Sequence, residues 1–163
     1  MKSARTMLRR GFSLIELVIV IVIIGIIAAI AIPRMSRGAE GANDSALKAN
    51  LAVLRNAIDL YQTEHEGKYP TGTTSTVLID QLTKYSSLAH ATNATQSSTY
   101  IYGPYLRDIP VLPVGANKGD ATFNVTGTVG GAQGWCYDPA TGKLKANLAA
   151  GDADKAGKDY NTY

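Results

Sequence analysis

Glu16 is the side chain here with the plainest chemistry. It is the one charge in an apolar run, Gly11-Phe12-Ser13-Leu14-Ile15-Glu16-Leu17 and onward to Pro33, and nothing charged or strongly polar follows between Leu17 and Ile32. Phe12 to Ile32 is 21 residues, close to the roughly 20 that a helix needs to cross a bilayer core. An unpaired carboxylate in hydrocarbon costs on the order of a few kcal/mol. A residue that costly is expected to have a partner.

A second group of carboxylates closes the chain. Asp152-x-Asp154-x-x-Gly157-x-Asp159 sets aspartates around a turn glycine, the hard-oxygen chemistry that calcium prefers. It starts like an EF-hand loop, but Ala156 replaces a ligand and Tyr163 stands where the bidentate glutamate belongs. Calcium binding by Asp152, Asp154 and Asp159 is one reading, and a solvated flexible tail is the other.

The remaining reactive side chains point away from catalysis. His65 and His90 are the two histidines. Glu64-His65-Glu66 lacks the HExxH spacing of a helical zinc site, so both histidines read as solvated polar residues. There is no GxSxG and no phosphate-binding glycine loop. The chain reads as the substrate of an enzyme rather than as an enzyme. Cys136 is the sole cysteine, so no internal disulfide can form. Between Trp135 and Tyr137 it reads as a buried small hydrophobe. Asn43, Asn93 and Asn124 open Asn-x-Ser/Thr triplets, to which no role is given.

Three readings fit the apolar run. An ordinary secretory signal would use Lys2, Arg5, Arg9 and Arg10 as its basic region, but its core should span about 7–15 residues, and this run is longer. A plain single-pass anchor leaves Glu16 unexplained. The third reading is cleavage between Gly11 and Phe12 with the helix retained. Gly11-Phe12-Ser13-Leu14-Ile15-Glu16-Leu17 resembles the processing and methylation signature of type IV pilins and type II secretion pseudopilins.

That resemblance implies a structural subunit without a required cofactor. A prepilin peptidase would cut after Gly11, and Phe12 would be methylated on its new amine. The subunit would polymerise with copies of itself, through an inner-membrane assembly platform with its ATPase and alongside minor pseudopilins. It also implies that a neighbour's Phe12 amine pairs with Glu16 in the fibre core, and that the helix can loosen around Gly25 and Pro33. Proline at 33 removes one helical hydrogen bond. Major pseudopilins carry a calcium site in their C-terminal loop and generally lack the pilin disulfide, so the single cysteine favours a pseudopilin over a type IV pilin for adhesion, motility or DNA uptake. A monomeric membrane-anchored binding domain is the alternative from another class.

Charge agrees with this division. The chain has 16 basic and 13 acidic side chains and a pI near 9.0. Four of the basic residues lie in the leader, leaving twelve against thirteen, a formal −1. The basic pI therefore belongs to the precursor and gives no reason to infer a nucleic-acid partner. Positive charge ahead of the apolar helix keeps that end cytoplasmic and sends the rest outward, into the periplasm of a two-membrane bacterium or outside a one-membrane cell. The resemblance implies a single-pass inner-membrane anchor with a periplasmic domain.

The elements that must position these groups follow from periodicity. Residues 1–11 read as the leader, 12–33 as the transmembrane and polymerisation helix, and 34–66 as its amphipathic half. Leu47, Leu51, Leu54, Ile58 and Tyr61 fall at spacings of four and three, one stripe of a helix packed on a domain. Gly67 and Pro70 stop it, giving one helix from Phe12 to Glu66 with Gly38 and Gly41 in its weakest part. Residues 67–163 read as a globular α+β domain. Thr76–Tyr85 is predicted as a short helix, Ala89–Thr99 as a surface loop, and Thr122–Val129 as a strand. Gly134–Tyr137 and Lys143–Ala146 form a strand pair around the turn Asp138–Gly142. The predicted fold is a long N-terminal helix packed on a small antiparallel β-sheet, pilin-like. Gly67-Lys68-Tyr69-Pro70 is similar to the GxYP segment of major pseudopilins, and Gly134–Pro139 to the aromatic strand and turn of pilin-like proteins.

Overall fold

The computed structural model describes residues 12–163, without the side chains of 32–38. The chain divides into two compact units, one ending at Ala39 and the other spanning Glu40–Tyr163. Helix α1 runs Leu14–Glu64, two residues shorter at each end than its pattern predicts. Its early part, Leu14–Ala31, is apolar, has none of its residues buried, and is long enough to cross a membrane.

In the second unit the stripe on α1 is the backbone of the core. Leu47, Leu51, Leu54, Ile58 and Tyr61 are each at most 1% exposed. The four aliphatic side chains cluster with Leu78 and Leu82 of α2 (Ser75–Thr83) and with Leu112, Phe123, Trp135, Tyr137 and Leu144. The α1 terminus closes as its glycine predicts: Glu66 and Gly67 take positive φ, and the Gly67 amide donates to Gln62 O at 2.9 Å, satisfying a carbonyl the helix leaves open. Thr74 caps α2 by accepting from the Val77 amide at 3.3 Å.

Two small sheets complete the unit. β1 (Tyr85–Ser86) pairs antiparallel with β2 (Thr92–Asn93), so the predicted loop 89–99 contributes a strand. The second sheet has the order β3-β4-β5, from Phe123–Asn124, Trp135–Tyr137 and Leu144–Ala146. β4 and β5 are the antiparallel pair that the turn Asp138–Gly142 predicts, with Cys136 opposite Lys145. β3 runs parallel to β4, Phe123 opposite Trp135, so the sheet is mixed rather than antiparallel.

The cause lies in Asn124. Its Oδ1 accepts from the Thr126 amide at 3.1 Å and its Nδ2 donates to Thr128 O and Gly130 O at 2.9 and 2.8 Å. Such side-chain bonds compete with a ladder and fold 124–130 into a loop. The predicted eight-residue strand is therefore cut to two. The architecture is α+β and pilin-like: one long apolar-started helix with small sheets against its later half.

Candidate functional site

Gly11, the expected cleavage residue, lies outside the described residues. Phe12 and Ser13 precede α1 outside any helix or strand, and Phe12 is exposed. Because α1 starts at Leu14, Phe12 is not on a helix face with Glu16, as a helix from Phe12 would place it. Glu16 sits at the third helical position, where its Oε2 accepts from the Ser13 backbone amide at 3.1 Å. This is the glutamate half of a capping box. It also sets a negative charge at the positive end of the helix dipole.

The carboxylate is thus locally anchored yet exposed, held at the start of the apolar helix with its remaining lone pairs open to another donor. No cation of this chain pairs with it among the described ion pairs. α1 continues through Gly25 and Pro33 without interruption. Nothing lies within 4 Å of where a Gly25 side chain would begin, so Gly25 is not required for packing inside one chain.

The C-terminal aspartates do not converge. Among the described residues no group of three or more His, Cys, Asp or Glu side chains is arranged to hold a metal ion. Asp154 is spent internally: Oδ1 accepts from the Ala156 and Lys158 amides at 2.8 and 2.9 Å, and Oδ2 accepts from the Tyr163 hydroxyl. These bonds, the hydroxyl foremost, hold its pKa below the usual carboxylate range. Ala153 bridges Asp159 through the backbone, and the Asp152 carbonyl accepts from the Tyr160 amide at 2.8 Å. This set does not fit calcium as arranged.

Nor is the tail a free coil. The Tyr160 hydroxyl donates to Asp44 Oδ1 at 2.6 Å, and Arg55 donates to Leu144 O at 2.8 Å and to Tyr163 O. Lys48 and Lys158 lie over the Tyr163 ring at 5.0 and 3.8 Å. Asp44, Lys48 and Arg55, spaced four and seven along α1, strap the tail onto the helix.

The histidines correct the sequence reading most sharply. His65 is fully buried, stacked on Tyr61 with ring centroids 3.8 Å apart. Its Nδ1 faces Tyr61 O at 2.9 Å and its Nε2 faces Ser86 Oγ at 3.1 Å. His90 is half-buried, its Nδ1 2.7 Å from the Tyr61 hydroxyl. The signal for His65 was present in the sequence: four residues past Tyr61, it extends the buried stripe by one turn. Cys136, by contrast, is buried in β4 as its neighbours predict. Burial pushes its thiol pKa up, against the pull of Lys145, which keeps it protonated and inert.

Residues 6–32 match the family model described as the prokaryotic N-terminal methylation motif, which is typical of type IV pilins and pseudopilins. No curated protein and no solved structure matches the chain. The matched stretch contains Gly11, Phe12 and Glu16, and most of it is the exposed apolar start of α1. A pilin-like motif of this kind points to a structural subunit processed by a prepilin peptidase rather than to an enzyme, and it fits membrane anchoring through the apolar helix.

Proposed function

We propose that this chain is the polymerising subunit of a pilus-like fibre, and more finely a type II secretion pseudopilin whose periplasmic polymerisation drives protein export. The observation that carries the reading is the coincidence of the methylation motif at 6–32 with a single exposed carboxylate at the head of an unburied apolar helix. Cleavage between Gly11 and Phe12 frees an amine two residues before α1. The same enzyme class methylates it, and the helix holds the mature chain in the inner membrane.

Extraction by the platform ATPase then stacks the helices inside and the domains outside. In that stack the Phe12 amine of an incoming copy meets Glu16 of its neighbour. Both charges are leaving water, so each strongly penalises the absence of the other. The described start of α1 agrees with an intermolecular pair: Glu16 is exposed and accepts the Ser13 amide, and Phe12 lies off the helix.

The pseudopilin is favoured over a type IV pilin for adhesion, motility or DNA uptake by the single buried cysteine. The chain has no second thiol for the disulfide that closes many pilin C-terminal loops, and the tail is fastened instead by Tyr160 and Arg55.

Mass spectrometry of protein extracted from membranes tests the processing step. The expected mature terminus is Phe12 carrying one methyl group, and Gly11→Val should leave the precursor uncut. A terminus near Ala31 or Pro33 would mean ordinary signal cleavage and would end this reading. A gene neighbourhood with a secretin and secretion platform supports the export role, and a retraction ATPase the pilus role.

A further inference from the structure

We propose that His90 is a proton sensor: neutral, it fastens the β1–β2 hairpin to the end of α1 through Tyr61, and protonated it releases that hairpin. The inference goes beyond the fibre reading and does not depend on it.

Three rings stack at the end of α1. Tyr61 and His65 lie 3.8 Å apart and within 2° of parallel. His90 stands 5.8 Å from Tyr61 and 5.4 Å from His65, within 17° of both. Tyr102 and Tyr105 close the sides, at 4.8 Å from His65 and 5.3 Å from Tyr61. His65 Nδ1 donates to the Tyr61 carbonyl, and its Nε2 lies 3.1 Å from the Ser86 hydroxyl, so both nitrogens of this fully buried ring are engaged.

His90 is the accessible member. It sits in the tight loop between β1 and β2, at φ 66, with its amide on Ser87 O and the Ser87 amide on Ala91 O, both at 2.9 Å. Its Nδ1 lies 2.7 Å from the Tyr61 hydroxyl and accepts from it when the neutral ring carries its proton on Nε2. In that tautomer a second proton converts Nδ1 to a donor, and the bond that ties the loop to α1 reverses. The resulting cation also lies against the stack.

The groups around it give the charge little help. From α1 it meets Tyr61 and His65, while the Glu64 carboxylate of the same helix accepts the Tyr105 hydroxyl at 2.7 Å. Glu66, beside His65, is exposed. Lys68, in the segment after α1, opposes a cation. From α2, Gln81 donates to the His90 carbonyl at 3.3 Å. Ser86 of β1, Tyr102 and Tyr105 are neutral. Burial first, then His65 and Lys68, lowers the His90 pKa below its ordinary value. The unfolded or opened loop therefore takes up a proton at a higher pH than the closed one, and the closed form loses relative stability as pH falls from about 6.5.

The test is NMR of the full chain in detergent micelles between pH 7.5 and 4.5. The His90 ring should titrate with a midpoint below about 6.5. The protection factor of the Ser87 amide, taken relative to its intrinsic exchange rate, should drop at least tenfold from pH 7 to pH 5. His90→Asn keeps a residue that tolerates positive φ and removes the proton site, so its Ser87 protection should be independent of pH over that range. A ring midpoint at or above 6.5 would overturn the proposal, as would an Asn variant that loses protection as far as the parent. Should His90→Asn fail to fold, the titration of the parent chain decides alone.

Discussion

The Tyr69 ring lies over Gly142, so close that a side chain at 142 would overlap it. Two segments 73 positions apart in the chain, the Gly67–Pro70 segment and the Asp138–Gly142 turn, thus form one structural joint. The Tyr137 hydroxyl adds a bond to Pro70 O at 3.0 Å. Gly142 has φ +70, where an L side chain is strained by about 1–3 kcal/mol, and the steric overlap adds to that.

Gly142→Ala should therefore destabilise the domain by at least about 2 kcal/mol, read as a lower thermal midpoint of the full chain in detergent. Gly119→Ala supplies the comparison: φ is +92 but nothing lies within 4 Å of its added carbon. Its loss should be smaller. Equal losses would show that backbone strain alone acts at both positions.

Acid should weaken the fold in two stages. The first is the His90 step below about pH 6.5. The second belongs to carboxylates such as Asp120, whose Oδ1 accepts from the Thr122 amide and hydroxyl and the Gly134 amide at 2.7, 2.6 and 2.8 Å. Burial acts to raise its pKa, but these bonds together outweigh it and hold the value below the usual carboxylate range. A depressed carboxylate contributes stability that is complete above its unfolded pKa of about 3.9 and is lost as pH falls through the folded value. Asp120→Ala, which leaves the buried Gly134 amide without its partner, should cost about 1–3 kcal/mol at neutral pH and flatten the stability curve below pH 4. A curve as steep as the parent's would remove Asp120 from the account.

What was legible in the sequence, and what was not, divides by contact distance. Helical periodicity is local, so the stripe from Leu47 to Tyr61 was readable before any contact was known, as was the strand pair around Asp138–Gly142. The methylation signature, too, is a contiguous string. The parallel pairing of β3 with β4 was hidden because Asn124 redirects the chain through its side chain rather than through its strand propensity. At His65 the charged neighbours Glu64 and Glu66 point to solvent, while the spacing from Tyr61 points to the buried stripe. The docking of the tail rests on contacts across more than 100 residues, Tyr160 to Asp44 and Tyr163 to Arg55, and no local pattern encodes those.

The strap gives a direct test of that docking. Tyr160→Phe removes the hydroxyl bonded to Asp44 and should cost about 1 kcal/mol, with faster proteolysis of the chain beyond Leu148. Asp44→Ala also strips the Lys155 amide of its acceptor and should cost more. If neither variant changes tail proteolysis, the strap contributes nothing in solution.

Calcium is decided by the same melting measurement. With the Asp154 oxygens occupied and no gathered carboxylates among the described residues, millimolar calcium should leave the thermal midpoint of the full chain unchanged. A ligand that binds only the folded state raises that midpoint. A rise reversed by chelator would mean that Asp152, Asp154 and Asp159 rearrange around an ion.

Fibre assembly by the Glu16→Gln chain tests the pairing of Glu16 with a neighbour's amine. Glutamine can still accept the Ser13 amide and so keeps the helix cap, while losing the charge that an amine would seek. The Gln chain should be inserted and cut after Gly11 like the parent, but fibres should fail to form, or form at least tenfold more slowly, when sheared material is quantified against the parent. A Glu16→Gln chain that is processed and builds fibres at the parent's rate would contradict the account, leaving Glu16 as a helix cap and nothing more.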